Sequence, residues 1–212
     1  MHQERVGPEA SRTWLRVALE RELKLYRVVT TRRHVRRSPV SRQVLSAVMA
    51  TRIEHRAEFG ADVAEVYLAQ SDEAALRARL AEIGGAHARL DEHSATDDGV
   101  RFKLVQGVSA DRLPQAVRTI HKGDLIVHRE QVWRRDGEGW TGTAKATVEG
   151  VPGEINARTD LRSTGAGTEL RSSGEVKVRI PLVGGKLERL IGEQVTKLLE
   201  REAEFTAKWL AG

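Results

Sequence analysis

Several polar side chains occur where an alternating strand pattern would place them inside the protein. Histidine acts as an acid or base near neutral pH, arginine binds anions, and amides or hydroxyls orient a ligand. A buried Arg129 would need a carboxylate or an anionic ligand, and an Arg129 that faces water is an equally simple interpretation. An enzyme would need a converging pair, such as His55 with Arg129 or Gln131. The candidate interior polar residues are His55, Gln106, Arg129, Gln131, Thr159 and Ser172.

The sequence lacks the familiar catalytic and metal-binding motifs. Its 212 residues include no cysteine, which excludes disulfides, thiolate nucleophiles and cysteine-ligated metals. The seven histidines show neither H-E-x-x-H nor H-x-H spacing. The nucleophile-elbow, phosphate-loop and dinucleotide motifs are absent as well. Two acidic pairs, Asp97-Asp98 and Glu202 with Glu204, are interpreted as a solvated turn and a solvated helix face. We therefore expect no metal, no cofactor and no identifiable catalytic residue.

Alternation of apolar and polar residues predicts half-buried strands that would position these side chains. In residues 125–134 the side with Arg129, Gln131 and Trp133 has the larger apolar ends, so we take it as the inward side. Turn residues, mainly glycine and aspartate, separate most of the segments. The predicted strands are residues 51–59, 86–96, 100–106, 125–134, 140–149, 154–162 and 168–180.

Helices are predicted after the first strand and at the end of the chain. Asp62 is expected to cap the first short helix and Ser71 the second, which Gly84-Gly85 ends. Residues 113–121 predict another short helix, and residues 184–210 one long helix. The long helix has a stripe at three- and four-residue steps that comprises Leu187, Leu190, Ile191, Gln194, Val195, Leu198, Glu202, Phe205 and Trp209.

This order of elements predicts an α+β fold. We expect a curved antiparallel sheet of about six to seven strands that grips a long C-terminal helix, with two short helices after the first strand. A helix of this length needs a large apolar surface to lie on, and the curved sheet supplies one.

Four stretches of the sequence resemble a known family. They are Met49–Phe59, Val151-Pro152-Gly153, the run EVKVRIPLVGGKLE at residues 175–188, and Glu204–Leu210. The layout resembles the START-like helix-grip fold of the SRPBCC superfamily, and the stretches resemble an uncharacterised bacterial domain-of-unknown-function family within it. The resemblance covers residues 49–212. It implies a cavity between sheet and long helix, used in the superfamily for lipids, polyketides or other apolar molecules. It assigns no residue of this sequence a catalytic role.

Small residues on the inward sides of the strands are consistent with such a cavity. Gly142, Ala144, Ala146, Ala157 and Gly174 stand where a filled core would favour large apolar side chains. The alternative is that side chains of the long helix fill this space. The residues expected to line the cavity are His55, Phe102, Arg129, Gln131, Trp133, Trp140, Ala144, Ala157, Thr159, Ser172, Leu198 and Phe205.

The positive charge is concentrated in the first 48 residues. The whole chain has a formal net charge of +5, whereas residues 1–48 alone carry +7 and residues 49–212 carry −2. We interpret residues 1–48 as a basic extension, either disordered or upstream of a natural start at Met49. Two alternatives are an arm for nucleic acid or anionic lipid and an export signal at the twin arginine Arg32-Arg33. The charge of residues 49–212 gives no reason to expect nucleic acid.

Three function hypotheses follow from these observations. The first is a cytoplasmic module that binds an apolar or lipid-like small molecule between sheet and long helix. The second is a cyclase- or hydrolase-like enzyme that acts on such a molecule. The third is polyanion binding through the basic extension. No run of apolar residues approaches the ~20 residues of a membrane span, so we expect no integral membrane contact.

Overall fold

The structure is a computed structural model that describes residues 50–113, 115–118 and 121–212. These residues belong to a compact unit that spans Met49–Gly212. The basic extension predicted for residues 1–48 lies outside the described residues. The strands are β1 (Thr51–Phe59), β2 (Arg89–Thr96), β3 (Gly99–Val108), β4 (Leu125–Asp136), β5 (Gly139–Val148), β6 (Val151–Thr164) and β7 (Gly167–Val178).

The seven strands form one curled, open antiparallel sheet in the order β1-β7-β6-β5-β4-β3-β2. Consecutive strands from β2 to β7 are neighbours, so tight turns connect most of them, and β1 closes against β7 at one edge. The predicted α+β architecture is confirmed. Strand bounds differ from the prediction by a few residues, most at β6, which spans Val151–Thr164 rather than residues 154–162.

Two short helices, α1 (Val63–Ser71) and α2 (Glu73–Ile83), follow β1. Asp62 caps α1 as predicted, since its carboxylate accepts the backbone N–H groups of residues 64 and 65, and Glu65 completes a capping box. The predicted cap of α2 is wrong. Asp72, not Ser71, accepts the first N–H groups of α2, whereas the Ser71 hydroxyl donates to the carbonyl of Tyr67 at 2.7 Å.

The connection between β3 and β4 contains helical residues within the predicted range of 113–121. A 3₁₀ turn spans Ala110–Arg112, the helix α3 spans Gln115–Arg118, and the backbone N–H of His121 donates to the carbonyl of Val117 at 2.9 Å. The described part of this connection is anchored by Asp124, whose carboxylate accepts the backbone N–H of Ala110 at 2.9 Å.

The long helix α4 (Gly184–Ala211) lies mainly on β1 and β7 and also contacts α1 and α2. Leu187 and Phe205 of its predicted stripe are buried. Trp209 is 43% exposed, so the stripe ends before the last turn. In the described part of the chain, no helix combines the length and apolar character required to cross a membrane.

The main hydrophobic core lies between the sheet and the two short helices. The rings of Tyr67 and Trp140 stack with centroids 3.5 Å apart, and the rings of Tyr67 and Trp133 are nearly perpendicular with centroids 6.3 Å apart. Burial of large aromatic side chains dominates the energetics of such a cluster. Its buried members are Phe59, Val66, Leu76, Leu80, Val100, Phe102, Leu104, Trp133, Trp140, Leu161 and Leu170.

Candidate functional site

Cross-strand register places the predicted strand residues on one face of the sheet. His55 of β1 lies opposite Ser172, which lies opposite Thr159 of β6. The row continues through Gly142 to Trp133 of β4. Side chains directly opposite each other in a sheet point the same way. The next row on the same face contains Ile53, Gly174, Ala157, Ala144, Gln131 and Phe102.

Six of the predicted residues meet around one small cavity. It is enclosed by residues from β1, β4, β6 and β7, from α1 and from the middle of α4. Its volume is about 20 Å³, which is room for about one water molecule. The predicted residues that line it are His55, Arg129, Gln131, Trp133, Thr159 and Ser172, and the others are Gln70, Leu170, Leu199, Glu202 and Ala203.

The other six predicted residues have different surroundings. Phe102 and Trp140 are buried in the main hydrophobic core, and Phe205 of α4 is buried as well. Ala144, Ala157 and Leu198 are half-buried. Their assignment as ligand-binding residues remains a prediction.

Close packing explains part of the small-residue pattern that the sequence offered as a sign of a cavity. A Cβ atom at Gly142 would lie 2.9 to 3.1 Å from the indole ring of Trp133. Glycine there allows the large ring to lie against β5, so the space is filled. At Gly174 a Cβ would lie 2.7 Å from the backbone oxygen of Asn156. Ala144, Ala146 and Ala157 are half-buried, so part of the surface of each remains accessible to solvent.

A buried ion pair joins the sheet to α4 beside the cavity. Nη1 of Arg129 donates to Oε1 of Glu202 at 2.7 Å, and Nη2 of Arg129 donates to Oε1 of Gln131 at 2.8 Å. Glu202 is only 4% exposed. Our interpretation of Glu202 as part of a solvated helix face is therefore wrong. Its position in the stripe of α4, four residues after Leu198 and three before Phe205, was the sequence signal of its burial.

The polar network continues into the two short helices. Nε2 of Gln70 donates to the hydroxyl of Thr206 at 2.6 Å, and Nη1 of Arg79 donates to Oε1 of Gln70 at 3.2 Å. Thr206 in turn donates to the backbone carbonyl of Glu202 at 2.8 Å. Sequence reasoning missed Gln70, Arg79 and Thr206. Arg79 lies between Leu76 and Leu80 of the predicted apolar stripe of α2, and that position was the available signal.

The charges in this network do not balance. Among the described residues it contains two arginines, Arg79 and Arg129, and one carboxylate, Glu202. Arg79 is 2% exposed, and arginine stays protonated in proteins. Burial tends to raise the pKa of Glu202, but the charges of Arg129 and Arg79 outweigh it and leave that pKa below its ordinary value. With Glu202 ionised, the buried group has a net charge of +1.

His55 adds a neutral, unsatisfied group to the wall of the cavity. Burial lowers the pKa of His55, and the nearby Glu200 and Glu202 only partly oppose this effect. The imidazole is therefore neutral at pH 7. Three buried polar atoms lack a hydrogen-bond partner in the described part of the structure: Nδ1 of His55, Nη2 of Arg79 and Nε1 of Trp133. Such atoms are uncommon in a folded protein and call for an explanation.

Two hydroxyl groups complete the polar part of the wall. The side-chain oxygens of Thr159 and Ser172 are 3.0 Å apart and share a hydrogen bond. The arrangement as a whole offers donors and hydroxyls around a small space, next to apolar surface. Across the described residues, no three histidine, aspartate or glutamate side chains are grouped closely enough to hold a metal ion.

Comparison with known proteins identifies the family. The family model described as "Protein of unknown function (DUF2505)" matches residues 54–210. The chain belongs to this family. The recognition from the sequence, of a domain-of-unknown-function family with the helix-grip fold, is confirmed. An uncharacterised protein of Mycobacterium tuberculosis (strain ATCC 25618 / H37Rv) is 34% identical over 167 residues, which cover 73% of this chain and 93% of that protein.

A solved structure shares the fold of this DUF2505 member at low sequence identity. The protein TTHA0849 from Thermus thermophilus is 13% identical, with a TM-score of 0.53 over 76% of this chain and 97% of that chain. At this identity the similarity concerns the fold alone. A START superfamily protein from Mycobacterium smegmatis is 12% identical, with a TM-score of 0.46 over 76% of this chain and 97% of its own.

Proposed function

We propose that residues 49–212 form a module that binds an apolar small molecule between the inner face of the sheet and α4. The observation that supports this most is the incomplete burial of apolar side chains on both sides of that space. On the sheet they include Val127, Ala144, Ala146, Ile155 and Ala157, and on α4 they include Leu190, Ile191, Val195, Leu198 and Leu199.

These residues are well placed for an apolar ligand because they adjoin the polar cavity. Ala144 lies opposite Gln131 in the sheet, and Ala146 lies opposite Arg129. Leu199 of α4 lines the cavity itself. Ligand sites of this kind combine a mostly apolar wall with a few polar groups that fix orientation. The polar end of the molecule would enter the cavity, and its apolar body would lie along β5, β6 and α4.

Binding requires α4 or its side chains to move. The cavity holds about 20 Å³, whereas sites for small molecules usually enclose about 300–1,000 Å³. The apolar side chains in the middle of α4, within residues 190–199, are half-buried, so an outward shift there costs less packing than one at the buried Leu187 or Phe205. We therefore expect ligand binding to change the environment of Leu198 and Leu199 more than that of the main hydrophobic core.

An enzyme is the second candidate function. His55, Arg129 and Gln131 line one cavity, which is the convergence that the enzyme hypothesis required. A neutral His55 is able to accept a proton, and Arg129 is able to stabilise a developing negative charge. If chemistry occurs, a His55→Gln variant should retain a bound molecule of different mass from the wild type. The same mass in both proteins favours binding alone.

Native mass spectrometry of the full chain, purified from its native host, tests the proposed function. We expect an additional non-covalent mass that is released by organic solvent and identified as an apolar molecule. Wild-type protein that carries no small molecule and gains no thermal stability from fatty acids, alcohols or polyketides would contradict the proposal. A full-chain protein and one lacking residues 1–48 should bind equally, because the proposed site lies in residues 49–212. Polyanion binding through the extension predicts instead a salt-sensitive association that the truncation abolishes.

A further inference from the structure

The buried polar network at the cavity has an excess of positive charge. Arg79 and Arg129 face one carboxylate, Glu202, and each of these side chains is largely buried. A buried charge without a counter-charge is unfavourable. One additional negative charge would bring the net charge of the described network from +1 to zero.

Unused hydrogen-bonding capacity lies in the same place. The guanidinium of Arg129 has five N–H donors, and two bonds account for its contacts with Glu202 and Gln131. Nδ1 of His55 and Nε1 of Trp133, both on residues that line the cavity, have no partner among the described groups. Trp133 is 1% exposed, so bulk water does not satisfy it. The cavity thus contains a buried N–H donor without an acceptor, the indole N–H of Trp133, beside an arginine with further N–H groups.

A carboxylate fits these features better than other anions. It has a single charge, which matches the excess of one, and its planar pair of oxygens matches the fork of an arginine. A phosphate is bulkier and carries between one and two charges near neutral pH. A neutral hydroxyl offers one acceptor site and leaves the charge excess unchanged.

We propose that the ligand of this domain is an apolar carboxylic acid whose ionised carboxylate binds Arg129, with Gln131 and His55 beside it. This inference rests on the proposed function and specifies the class of ligand. The carboxylate shares Arg129 with Glu202, and the apolar chain extends between β5, β6 and α4. A single bound water is the simpler occupant of the cavity, and it predicts no preference for an acid.

The first test compares two ligands that differ only in the polar end. Decanoic acid, ionised at neutral pH, and 1-decanol are titrated into delipidated full-length protein by isothermal titration calorimetry at pH 7.5. We expect the acid to bind about 10- to 100-fold more tightly than the alcohol, because the free energy of one charge-assisted hydrogen bond corresponds to a difference in affinity of that size. Equal affinities would overturn the carboxylate inference and leave the proposed function standing. No binding of either ligand would overturn both.

The second test uses two variants that should change the preference for the acid over the alcohol in opposite directions. Arg129→Gln should reduce the preference for the acid by about tenfold or more, because it removes the charged donor. Glu202→Gln should increase the preference, because it removes a competing carboxylate from the same arginine. A purely structural role for the pair predicts weaker binding in both variants. Arg134→Gln, on the exposed side of the same strand, is the matched control and should leave the preference unchanged.

Discussion

Replacement of Glu202 by glutamine should destabilise the fold more than any other single neutralisation in the buried network. The carboxylate is 4% exposed and balances two buried arginines. Removing one member of a buried ion pair typically costs about 3–5 kcal/mol of unfolding free energy. Glu202→Gln leaves Arg79 and Arg129 without a counter-charge, so we expect a loss of about 4–5 kcal/mol. Arg129→Gln leaves Glu202 opposite Arg79, so we expect about 3 kcal/mol.

Urea unfolding, followed by tryptophan fluorescence and circular dichroism, measures these differences. Glu204→Gln is the matched control, because Glu204 is an exposed carboxylate on the same helix, and it should change stability by less than about 0.5 kcal/mol. Decanoic acid should raise the melting temperature of Glu202→Gln more than that of the wild type, since it supplies the missing charge.

The pH dependence gives a second check on the same substitution. The pKa of Glu202 is lowered in the folded protein, so the stability that its ionised form contributes is complete above the ordinary value of 4.5. That contribution is lost as the pH falls through the lowered pKa. The difference between wild type and Glu202→Gln should therefore shrink below about pH 4.5. The reasoning is refuted if Glu202→Gln costs no more than Glu204→Gln, or if Arg129→Gln costs more than Glu202→Gln.

Three further substitutions test individual parts of the structure. Burial lowers the pKa of His55 from its ordinary 6.5, so the stability due to the neutral imidazole should be complete above pH 6.5 and lost as the pH falls through the lowered pKa. In His55→Gln the free energy of urea unfolding should therefore vary less with pH between about pH 7 and 5 than in the wild type. Parallel plots of unfolding free energy against pH for the two proteins would contradict this. Gly142→Ala should reduce the unfolding free energy by about 1–3 kcal/mol because its Cβ meets the Trp133 ring. Gly165→Ala, where a Cβ meets nothing within 4 Å, should reduce it far less. Equal losses of stability in thermal unfolding would contradict the packing argument. Asp62→Ala should cost about 1 kcal/mol through loss of the α1 cap, and an unchanged urea midpoint would exclude that role.

The architecture was predictable because most of the strands bury one face more than the other. Period-two alternation then identifies the strand, and the buried face fixes its register against the neighbours. Local capping chemistry was less certain. Ser71 and Asp72 are both good cap residues, and only the contact of the Ser71 hydroxyl with the Tyr67 carbonyl decides between them.

The polar network was only partly predictable because its partners are distant in the chain. The alternating pattern of the strands was enough to identify His55, Thr159 and Ser172. For Arg129 and Gln131 it was not, because the two sides of residues 125–134 differ only in the size of their apolar ends. Glu202 does not, since a carboxylate in an amphipathic stripe looks solvated until Arg129, 73 residues away, is known to lie beneath it. The alternating pattern of a strand also identifies small residues on its inward side, but it does not show which side chains lie against them. At Gly142 the neighbour is the Trp133 ring, which fills the space.

The most direct test of the proposed binding site is a titration of isotope-labelled full-length protein with decanoic acid, followed by NMR. The account predicts shift changes at residues of the cavity and of the half-buried apolar surface, such as His55, Ala144 and Leu198. A shallow groove on the opposite face of the sheet, lined by residues that include Arg52, Glu54, Arg158 and Glu175, provides the comparison. Changes confined to that groove, or no changes at saturating ligand, would contradict binding between the sheet and α4.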